Sequence, residues 1–444
     1  MTVFWSKELK CRVKKVLIIS YYWPPAGGPG VQRWLKFATY LTDFGIKPVI
    51  YVPENPTYPI VDKSLLTEVP KELEILREPI IEPYAWAKIF SKKHTETISS
   101  GIISEEKKQS LLQKIMLYIR GNFFIPDARK FWIKPSVRFL GKYISENKID
   151  IIITTGPPHS LHLIGLALKA KTRLPWITDF RDPWTGIGYH DKLKLTDSSQ
   201  KKHKALERKV LQNCDHIITT SPTTKSDFKK ITDTPITCIT NGFELEGDLK
   251  IDQDIEFSLS HIGSLLEKRN PLILWKVLGN LKKEDKNFEK ALKIKLAGRV
   301  SETVIASIKS YGLEENLELV GYVTHKEALK LQRKSQVLLL IEINSEETKA
   351  IIPGKVFEYL AARRPILAIG PENADFFEIV TSTDSGNCFT YQEEEELKKQ
   401  VLHWYKIYST EGLPDNTGNI SSYTRKNLTQ KLAQLIDQVL DVSQ

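Results

Sequence analysis

Short apolar runs alternate along this chain with longer stretches in which apolar positions recur every three or four residues. The first such unit is the clearest. Residues 16–20 form an apolar, β-branched run, residues 31–44 have helical periodicity, Gly45 predicts the end of that helix, and residues 48–52 predict the next strand. Strand, helix and strand in this order are the unit from which parallel sheets are built.

The same rhythm continues, after a less regular stretch over 60–150. Further strands are predicted at 150–155, 176–179, 216–220, 236–240, 257–262, 293–297, 317–320, 337–343 and 365–369. Helices are predicted between them, including 159–170, 199–213 and one that begins at Pro222. The polar, acidic stretch 244–254 indicates a linker. The pattern therefore predicts an α/β protein with two Rossmann-like domains, 1–243 and 244–422, and an amphipathic helix within 423–444 that packs back across the junction.

Composition agrees with this organisation. A chain of 444 residues exceeds what one hydrophobic core usually organises, and 41% hydrophobic with 27% charged residues is ordinary for a globular protein. No run approaches the roughly 18 apolar residues that a membrane-spanning helix needs, and the N-terminus has no secretory-signal pattern. Four cysteines lack metal-ligand spacing, namely Cys11, Cys214, Cys238 and Cys388. We therefore expect a cytoplasmic chain, soluble or peripheral at the inner face of the membrane.

The charge is unevenly distributed. The net charge is +10, but residues 1–240 carry +15 and the remainder −5. Nine basic residues and one acid, Asp127, lie within 107–142, interleaved with aromatic residues. Such a segment either contacts an anionic membrane surface or consists of ordinary helices with solvated basic faces. Nucleic acid is not expected as a partner, because no recognition motif accompanies the charge.

Three loops at strand-to-helix junctions of the first half are candidates for chemistry. Gly27 and Gly28, in PPAGGPG, either let a phosphate approach the backbone or form a tight turn. His159, in TTGPPHS, either hydrogen-bonds a sugar at a helix N-terminus or is structural. Asp182, in TDFRDPW, either binds acceptor hydroxyls or belongs to an Asp–Arg pair and a turn. Ligands of parallel sheets bind at these carboxyl ends of strands.

The second half contains further candidates. Gly263 and Ser264 follow a strand, Lys268 and Arg269 either neutralise a diphosphate or are simply exposed, and Arg299 has the same two alternatives. Pro353 and Gly354 open a short helix, where Lys355 adds a charge for phosphate and Glu358 follows on the same side for ribose hydroxyls. The DxD pattern of Asp252 and Asp254 lies in the acidic linker, so a metal–diphosphate role is not expected for it.

The motifs together resemble glycosyltransferase family 4, with the GT-B fold of two Rossmann-like domains facing each other across a cleft. The segments that carry the resemblance are YYWPPAGGPGVQRW, TTGPPHSLHLIG, WITDFRDPW, ITTSPTTK, ITNGFE, HIGSLLEKRNP and PGKVFEYLAARRPILAIG. Each is moderately specific, whereas their order and spacing are much more so. The chain is most similar in pattern to bacterial members that modify surface polysaccharides.

The resemblance implies a retaining transfer without an essential metal or other cofactor, from a nucleotide-sugar, a UDP-sugar favoured, to a glycan or lipid-linked acceptor. It implies that Gly27, Gly28, Lys355 and either Lys268 or Arg269 face the donor phosphates. It further implies that His159 contacts the transferred sugar, Asp182 lies near the acceptor and Glu358 binds the ribose. Gly263, Ser264, Arg299, Pro353 and Gly354 complete the expected donor site.

Two positions depart from the family pattern. Ala350 stands where the first of two spaced glutamates is frequent, and Ser264 stands where an arginine is frequent. The identity of the donor sugar is therefore open. Two other functions share the scaffold, a nucleotide-sugar 2-epimerase and a non-catalytic binding or assembly protein at the membrane surface.

Overall fold

The computed structural model describes residues 12–82, 111–186, 193–245 and 251–442. Within these ranges the chain divides into two compact units. The first comprises the residues up to Thr220, Thr224–Thr240 and the C-terminal residues from Arg425, and the second comprises Ser221–Thr223 and Asn241–Thr424.

Each unit is built on one sheet whose described strands are all parallel. The strands are β1 Lys14–Ile19, β2 Ile46–Pro53, β3 Glu74–Glu78, β4 Ile151–Gly156, β5 Trp176–Phe180, β6 His216–Thr219, β7 Ile236–Cys238, β8 Phe257–Ile262, β9 Leu292–Ala297, β10 Leu317–Gly321, β11 Val337–Ile341, β12 Ile366–Ile369 and β13 Gly386–Phe389. The order is β3-β2-β1-β4-β5-β6-β7 in the first unit and β10-β9-β8-β11-β12-β13 in the second. Both sheets reverse direction of winding at a central strand, as doubly wound α/β sheets do.

The helices connect the strands. They are α1 Pro29–Tyr40, α2 Leu111–Phe123, α3 Ile133–Glu146, α4 Ser160–Thr172, α5 Asp197–Asn213, α6 Pro222–Lys229, α7 Leu272–Glu284, α8 Lys286–Ala291, α9 Glu302–Ser310, α10 His325–Lys334, α11 Lys355–Ala362, α12 Asp375–Ser382, α13 Glu394–Thr410 and α14 Arg425–Val442. The fold class predicted from the pattern, α/β with two parallel-sheet domains, is confirmed.

The central strands of the first sheet carry short apolar runs that are fully buried, VLII in β1 and III in β4. Leu17 pairs with Val49 of β2 and with Ile152 of β4, and all three side chains are fully buried. Such runs are typical of central parallel strands, which are covered by helices on both sides.

The last helix, α14, packs on the first unit, although it follows the whole second unit in the chain. Its buried positions recur at helical spacing and enter the same core as Trp34 and Leu35 of α1. They are Leu428, Leu432, Ala433, Leu435, Ile436, Val439 and Leu440. The apolar face of the amphipathic C-terminal helix is thus buried in the core of the first unit.

Two strands lack a clear signal in the sequence, β3 and β13. Both lie at an edge of their sheet, where one side has no neighbouring strand and side chains stay partly exposed. Their sequences, EILRE and GNCF, therefore do not show the continuous apolar run that a central strand requires.

Candidate functional site

The second unit gathers charged side chains where its central strands end. β8 is followed by Gly263 and by the 3-10 turn Glu267–Arg269, β9 by Gly298, and β11 by Glu342. The carboxyl ends of parallel strands share one edge of the sheet, so these loops converge there.

Lys355 lies over the backbone of Gly263. Gly263 has φ +129°, a value that favours glycine, and a Cβ built at this position would overlap with Cε and Nζ of Lys355. Gly298 lies beneath, with φ +108° and a hypothetical Cβ only 2.8 Å from the carbonyl carbon of Gly263. Gly263 therefore provides the space for the lysine side chain, and Gly298 provides the space for the backbone of Gly263.

His261, the fifth residue of β8, contacts the end of that lysine. Its Nδ1 lies 3.0 Å from the carbonyl oxygen of Leu339, and its Nε2 lies 3.1 Å from Nζ of Lys355. The imidazole is 1% exposed, and this burial, with the nearby Lys355 charge, lowers the pKa of His261 to about 3. His261 is thus neutral over the physiological range.

Arg269 and Glu342 form an ion pair beside Lys355. Nε of Arg269 donates to Oε1 of Glu342 at 3.0 Å, and one terminal nitrogen donates to Oε2 at 3.2 Å. The Glu342 side chain is 1% exposed, and its Oε1 also accepts from the Ile343 amide at 2.8 Å. Burial, with the neighbouring Arg269 charge, lowers the pKa of Lys355 to about 8, although Glu358 and Glu342 oppose that shift.

Glu358 is held from the side by α10. Nε2 of Gln332, a residue 1% exposed, donates to Oε2 of Glu358 at 2.8 Å. Glu358 lies in the first turn of α11, three residues after Lys355, and Gly354 occupies the N-cap position of that helix. Pro353 accepts a hydrogen bond from the Val356 amide at 3.0 Å and closes the turn.

The other candidates of the second unit lie further out. Ser264, Lys268 and Arg299 are exposed at the surface, although the backbone of Ser264 hydrogen-bonds His261. Of the adjacent pair, the structure thus brings Arg269, and not Lys268, against Lys355 and Glu342. We name Lys355, Arg269, Glu342 and His261 the cationic cluster. Glu342 and His261 were not singled out from the sequence. The signal for Glu342 was one charged residue directly after the apolar run VLLLI.

In the first unit, the glycine loop packs against a neighbouring segment. The Gly27 amide donates to the carbonyl oxygen of Ile60 at 3.0 Å, and a Cβ at Gly27 would lie 2.9 Å from the Ile60 side chain. Gly28 is the N-cap residue of α1, with φ 110° and nothing within 4 Å of a hypothetical Cβ. Gly28 is therefore the glycine of this pair with open space beside it.

His159 stands at the N-cap position of α4, as the sequence predicted. It is 4% exposed, and its ring stacks on Trp184 with centroids 5.1 Å apart and planes at 4°. His162 is fully buried, and Nδ1 lies 2.8 Å from the Thr154 hydroxyl. Burial lowers the pKa of His162 to about 3, so this histidine is a neutral core residue.

The DFRDPW loop divides into buried and exposed positions. Asp179 is fully buried and accepts hydrogen bonds from Nη2 of Arg33 at 3.0 Å, the Trp34 indole at 2.8 Å and the Thr155 hydroxyl at 2.8 Å. Arg181 donates to the carbonyl oxygens of Gly156 and Pro157. Asp182 is exposed. Asp179 thus organises the structure of the unit. Asp182 is the exposed residue of the two, and desolvation raises the pKa of its carboxyl group.

Two acids fix the surroundings of His159, and neither was singled out as a functional residue. Asp127 accepts from the Ser160 amide at 2.9 Å and from the Ser160 hydroxyl at 2.7 Å, which satisfies the N-terminus of α4. Glu207, on the basic helix α5, accepts from the amides of Trp184 and Thr185 at 3.1 Å. Burial raises the pKa of Glu207. Their partners are distant in sequence, so no local pattern shows them.

In the DxD pattern, Asp254 makes contacts with other residues of the protein. Asp254 forms an ion pair with Lys295 at 2.9 Å, and its amide donates to the carbonyl oxygen of Lys334. Across the described ranges, no group of three or more His, Cys, Asp or Glu side chains is arranged to hold a metal ion.

Among the helices that the structure describes, none combines the length and apolar character needed to cross a membrane.

Comparisons with known protein families and solved structures are consistent with the fold and the site described above. The fold defines a GT-B protein, and the coordinates of several GT-B glycosyltransferases match nearly the whole chain. Residues 101–246 match the model of Glycosyltransferase Family 4, which confirms the family 4-like character indicated by the sequence motifs. A comparison with curated protein sequences finds no match.

Three of the similar structures illustrate the range of functions on this fold. TarM is 13% identical with a TM-score of 0.57, covering 96% of this chain and 99% of its own, and S. aureus TarM also has a structure with UDP and alpha-GlcNAc-glycerol. HepE of Anabaena, in complex with UDP-glucose, is 14% identical with a TM-score of 0.51, covering 97% and 98%. A Listeria monocytogenes protein assigned as a UDP-N-acetylglucosamine 2-epimerase is 10% identical with a TM-score of 0.52, covering 96% and 97%. At such identities the likeness concerns the fold.

Proposed function

We propose that this protein is a retaining glycosyltransferase that moves a sugar from a nucleotide-sugar donor to a glycan or lipid-linked acceptor. The observation that carries the proposal is the cationic cluster at the carboxyl edge of the second sheet. Lys355 and Arg269 place two positive charges beside the N-terminus of α11, where a diphosphate is favoured by charge and by the helix dipole.

The donor proposed is a UDP-sugar. HepE is complexed with UDP-glucose and TarM with UDP, and both share the fold of this chain. Glu358 supplies a carboxylate for the ribose hydroxyls, since its second oxygen remains available beside the one that Gln332 holds.

In the proposed reaction, the cationic cluster stabilises the leaving group. The acceptor hydroxyl oxygen forms a bond to the anomeric carbon on the face from which the diphosphate leaves, while the bond from that carbon to the phosphate oxygen breaks. The departing phosphate oxygen takes the acceptor proton. Lys355 and Arg269 stabilise the negative charge that develops on the diphosphate, a task that Mg²⁺ performs in other enzymes. No essential metal or other cofactor is therefore part of the proposal.

On the first unit, His159 and Asp182 are the proposed contacts to the transferred sugar and the acceptor. The N-cap position of His159 and the exposed carboxylate of Asp182 both follow strands of the parallel sheet, β4 and β5. Their placement at the carboxyl edge supports a ligand role, because ligands of such sheets bind there.

A membrane surface is the proposed place of work, with bacterial surface polysaccharide as the product class. On α2, Ile115, Tyr118, Ile119 and Phe123 expose between 41% and 63% of their area. Arg120 of the same helix and Lys130 nearby add positive charge. Exposed apolar and basic side chains side by side are typical of an interfacial contact with anionic lipids.

Product analysis tests this proposal directly. The protein is incubated with UDP-glucose, UDP-galactose or UDP-N-acetylglucosamine and lipid-linked or glycan acceptors, and UDP release and the anomeric coupling constant of the product are measured. Transfer with an α-linked product, lost in Glu358→Ala and kept in the exposed control Glu395→Ala, supports it. A β-linked product contradicts retention, and donor epimerised without transfer favours the 2-epimerase that shares the fold. If the protein binds the nucleotide but forms no product with any of the acceptors, a non-catalytic binding protein is favoured.

A further inference from the structure

We propose that His261 is a positioning residue that holds the ammonium group of Lys355 in place for a donor phosphate, an inference that rests on the proposed function. The geometry carries it. The two ring nitrogens of His261 lie 3.0 Å from the Leu339 carbonyl oxygen and 3.1 Å from Nζ of Lys355, so the ring bridges the backbone of β11 and the lysine.

The tautomer follows from the partners. A carbonyl oxygen only accepts hydrogen bonds, so Nδ1 of His261, 3.0 Å from the Leu339 oxygen, carries the proton and donates to it. The backbone of Ser264 also hydrogen-bonds the ring. Nε2 then has a lone pair, and the Lys355 ammonium donates to it. The imidazole is 1% exposed, and burial lowers its pKa to about 3, so it accepts this hydrogen bond throughout the physiological range.

A neutral acceptor suits this position better than a carboxylate would. A third carboxylate beside Glu342 and Glu358 would reduce the net positive charge that a diphosphate meets. His261 fixes the direction of the lysine side chain without neutralising its charge. One ammonium proton is directed to His261, and the other two can reach a ligand.

Several groups set the charge of Lys355. Arg269 faces it from the loop after β8, Glu342 from the end of β11, Glu358 from its own helix and His261 from β8. Burial and Arg269 lower the pKa of Lys355 to about 8, whereas the two carboxylates act in the opposite direction. The ammonium form binds phosphate, so nucleotide affinity is predicted to fall as the pH rises above about 8.

The test is the dissociation constant of UDP from pH 6.5 to 9.5, measured by calorimetry on the full chain. His261→Phe keeps a ring but removes the acceptor. We expect about tenfold weaker binding at pH 7, and a decline that begins at lower pH, because the ammonium form loses a hydrogen bond. His261→Gln, which can accept through its amide oxygen, restores part of both. Lys355→Met binds weakly at every pH and shows no decline of its own above pH 8.

A second measurement needs no nucleotide. Acetic anhydride reacts with the free amine, so the pH dependence of Lys355 acetylation, followed by mass spectrometry, reports its pKa. This pKa is expected to fall in His261→Phe and to return toward the wild-type value in His261→Gln. If Lys355 acetylation and UDP affinity have the same pH dependence in His261→Phe as in the wild type, His261 only packs, and the inference is overturned.

The two levels of the proposal fail differently. If the wild-type protein binds no nucleoside diphosphate, the proposed function is contradicted, and the positioning role falls with it even where the acetylation result holds. If the wild type binds UDP and Lys355→Met weakens it, but His261→Phe does not, only the role of His261 is wrong. Where His261→Phe does not fold, as judged by its circular dichroism spectrum, His261→Leu, which also lacks an acceptor, replaces it in both measurements and is compared with His261→Gln.

Discussion

The side-chain amide of Gln332 donates a 2.8 Å hydrogen bond to one carboxylate oxygen of Glu358, and Gln332 itself is 1% exposed. The hydrogen bond joins α10 to α11, two helices of the second unit whose residues are 26 positions apart. An uncharged donor orients the glutamate and leaves its negative charge intact. The proposed ribose contact therefore depends on a residue of a different helix.

Replacing Gln332 tests this dependence. In Gln332→Leu, which has a similar volume, Glu358 loses its fixed direction, and we expect UDP to bind about three- to tenfold more weakly, the effect of one hydrogen bond to a charged group. Calorimetry gives the affinity, and the melting temperature shows whether the fold is retained. Gln392→Leu, an exposed glutamine before α13, is the control and should leave the affinity unchanged. Equal affinities in wild type and Gln332→Leu would contradict the dependence of the proposed ribose contact on Gln332.

Substitutions of Arg269 and Glu342 are expected to affect the stability of the fold and the affinity for UDP differently. Arg269→Met leaves the buried Glu342 carboxylate without its partner, so we expect a loss of roughly 2–4 kcal/mol in the free energy of unfolding together with weaker UDP binding. In Arg269→Met combined with Glu342→Leu, the stability should return in large part, because no buried charge is left, while the UDP affinity stays low. Denaturant titration and calorimetry measure the two effects.

Lys268→Met is the matched control for that pair. Lys268 precedes Arg269 and is exposed, whereas Arg269 contacts Glu342. The structure predicts a small effect of this substitution on UDP affinity, within about a factor of three, since a distant exposed charge is screened by solvent. If Lys268→Met weakens binding as much as Arg269→Met does, the assignment of the phosphate contact to Arg269 is wrong.

The buried carboxylate of Asp179 is predicted to act through stability. Asp179→Asn removes the charge that compensates Arg33, whose side chain is 2% exposed, and we expect a loss of about 3–5 kcal/mol in the free energy of unfolding. Asp227→Asn breaks an exposed pair with Lys230 and should leave the unfolding midpoint nearly unchanged. Urea titrations compare the two. A small effect of Asp179→Asn would mean that the pair with Arg33 is not the main anchor of this loop.

Membrane contact is predicted to depend on apolar and basic side chains of the α2 region together. The protein should float with vesicles that contain anionic phosphatidylglycerol at low salt, and Phe123→Ser with Ile119→Ser should reduce that fraction by several fold. The pair Leu402→Ser and Val13→Ser, also exposed apolar positions, is the control. Recovery of the wild-type protein only in the vesicle-free fraction would contradict the membrane proposal.

Sequence reasoning located most strands closely, including the edge strands β7 and β10, and missed the edge strands β3 and β13, for a physical reason. β11 was predicted at 337–343 and lies at Val337–Ile341, because its sequence VLLLI is the unbroken apolar run that is typical of a strand buried on both faces. β13, with the sequence GNCF at an edge, has no such requirement. The alternation of strands and helices and the positions of the loops were accordingly accessible from the sequence, whereas the two edge strands β3 and β13 were not.

The site divides in the same way. Lys355 and Glu358 follow from local rules, since a Pro-Gly helix start and a three-residue spacing are visible in the sequence. The residues that hold these two side chains in place are not visible from the sequence. His261 lies 94 residues from Lys355 and Gln332 lies 26 residues from Glu358, and each belongs to a different element of the sheet or its helices. Only the tertiary structure brings these pairs together.

The central claim is that the second unit binds a nucleoside diphosphate through Glu358 and the cationic cluster. A thermal-shift screen of UDP, GDP, ADP, dTDP and CMP, in the wild type and in Glu358→Ala, with and without EDTA, tests it most directly. We predict that UDP raises the melting temperature of the wild type, with or without EDTA, and does so much less in Glu358→Ala. No shift with any of these nucleotides, or a shift that EDTA abolishes, would contradict the account.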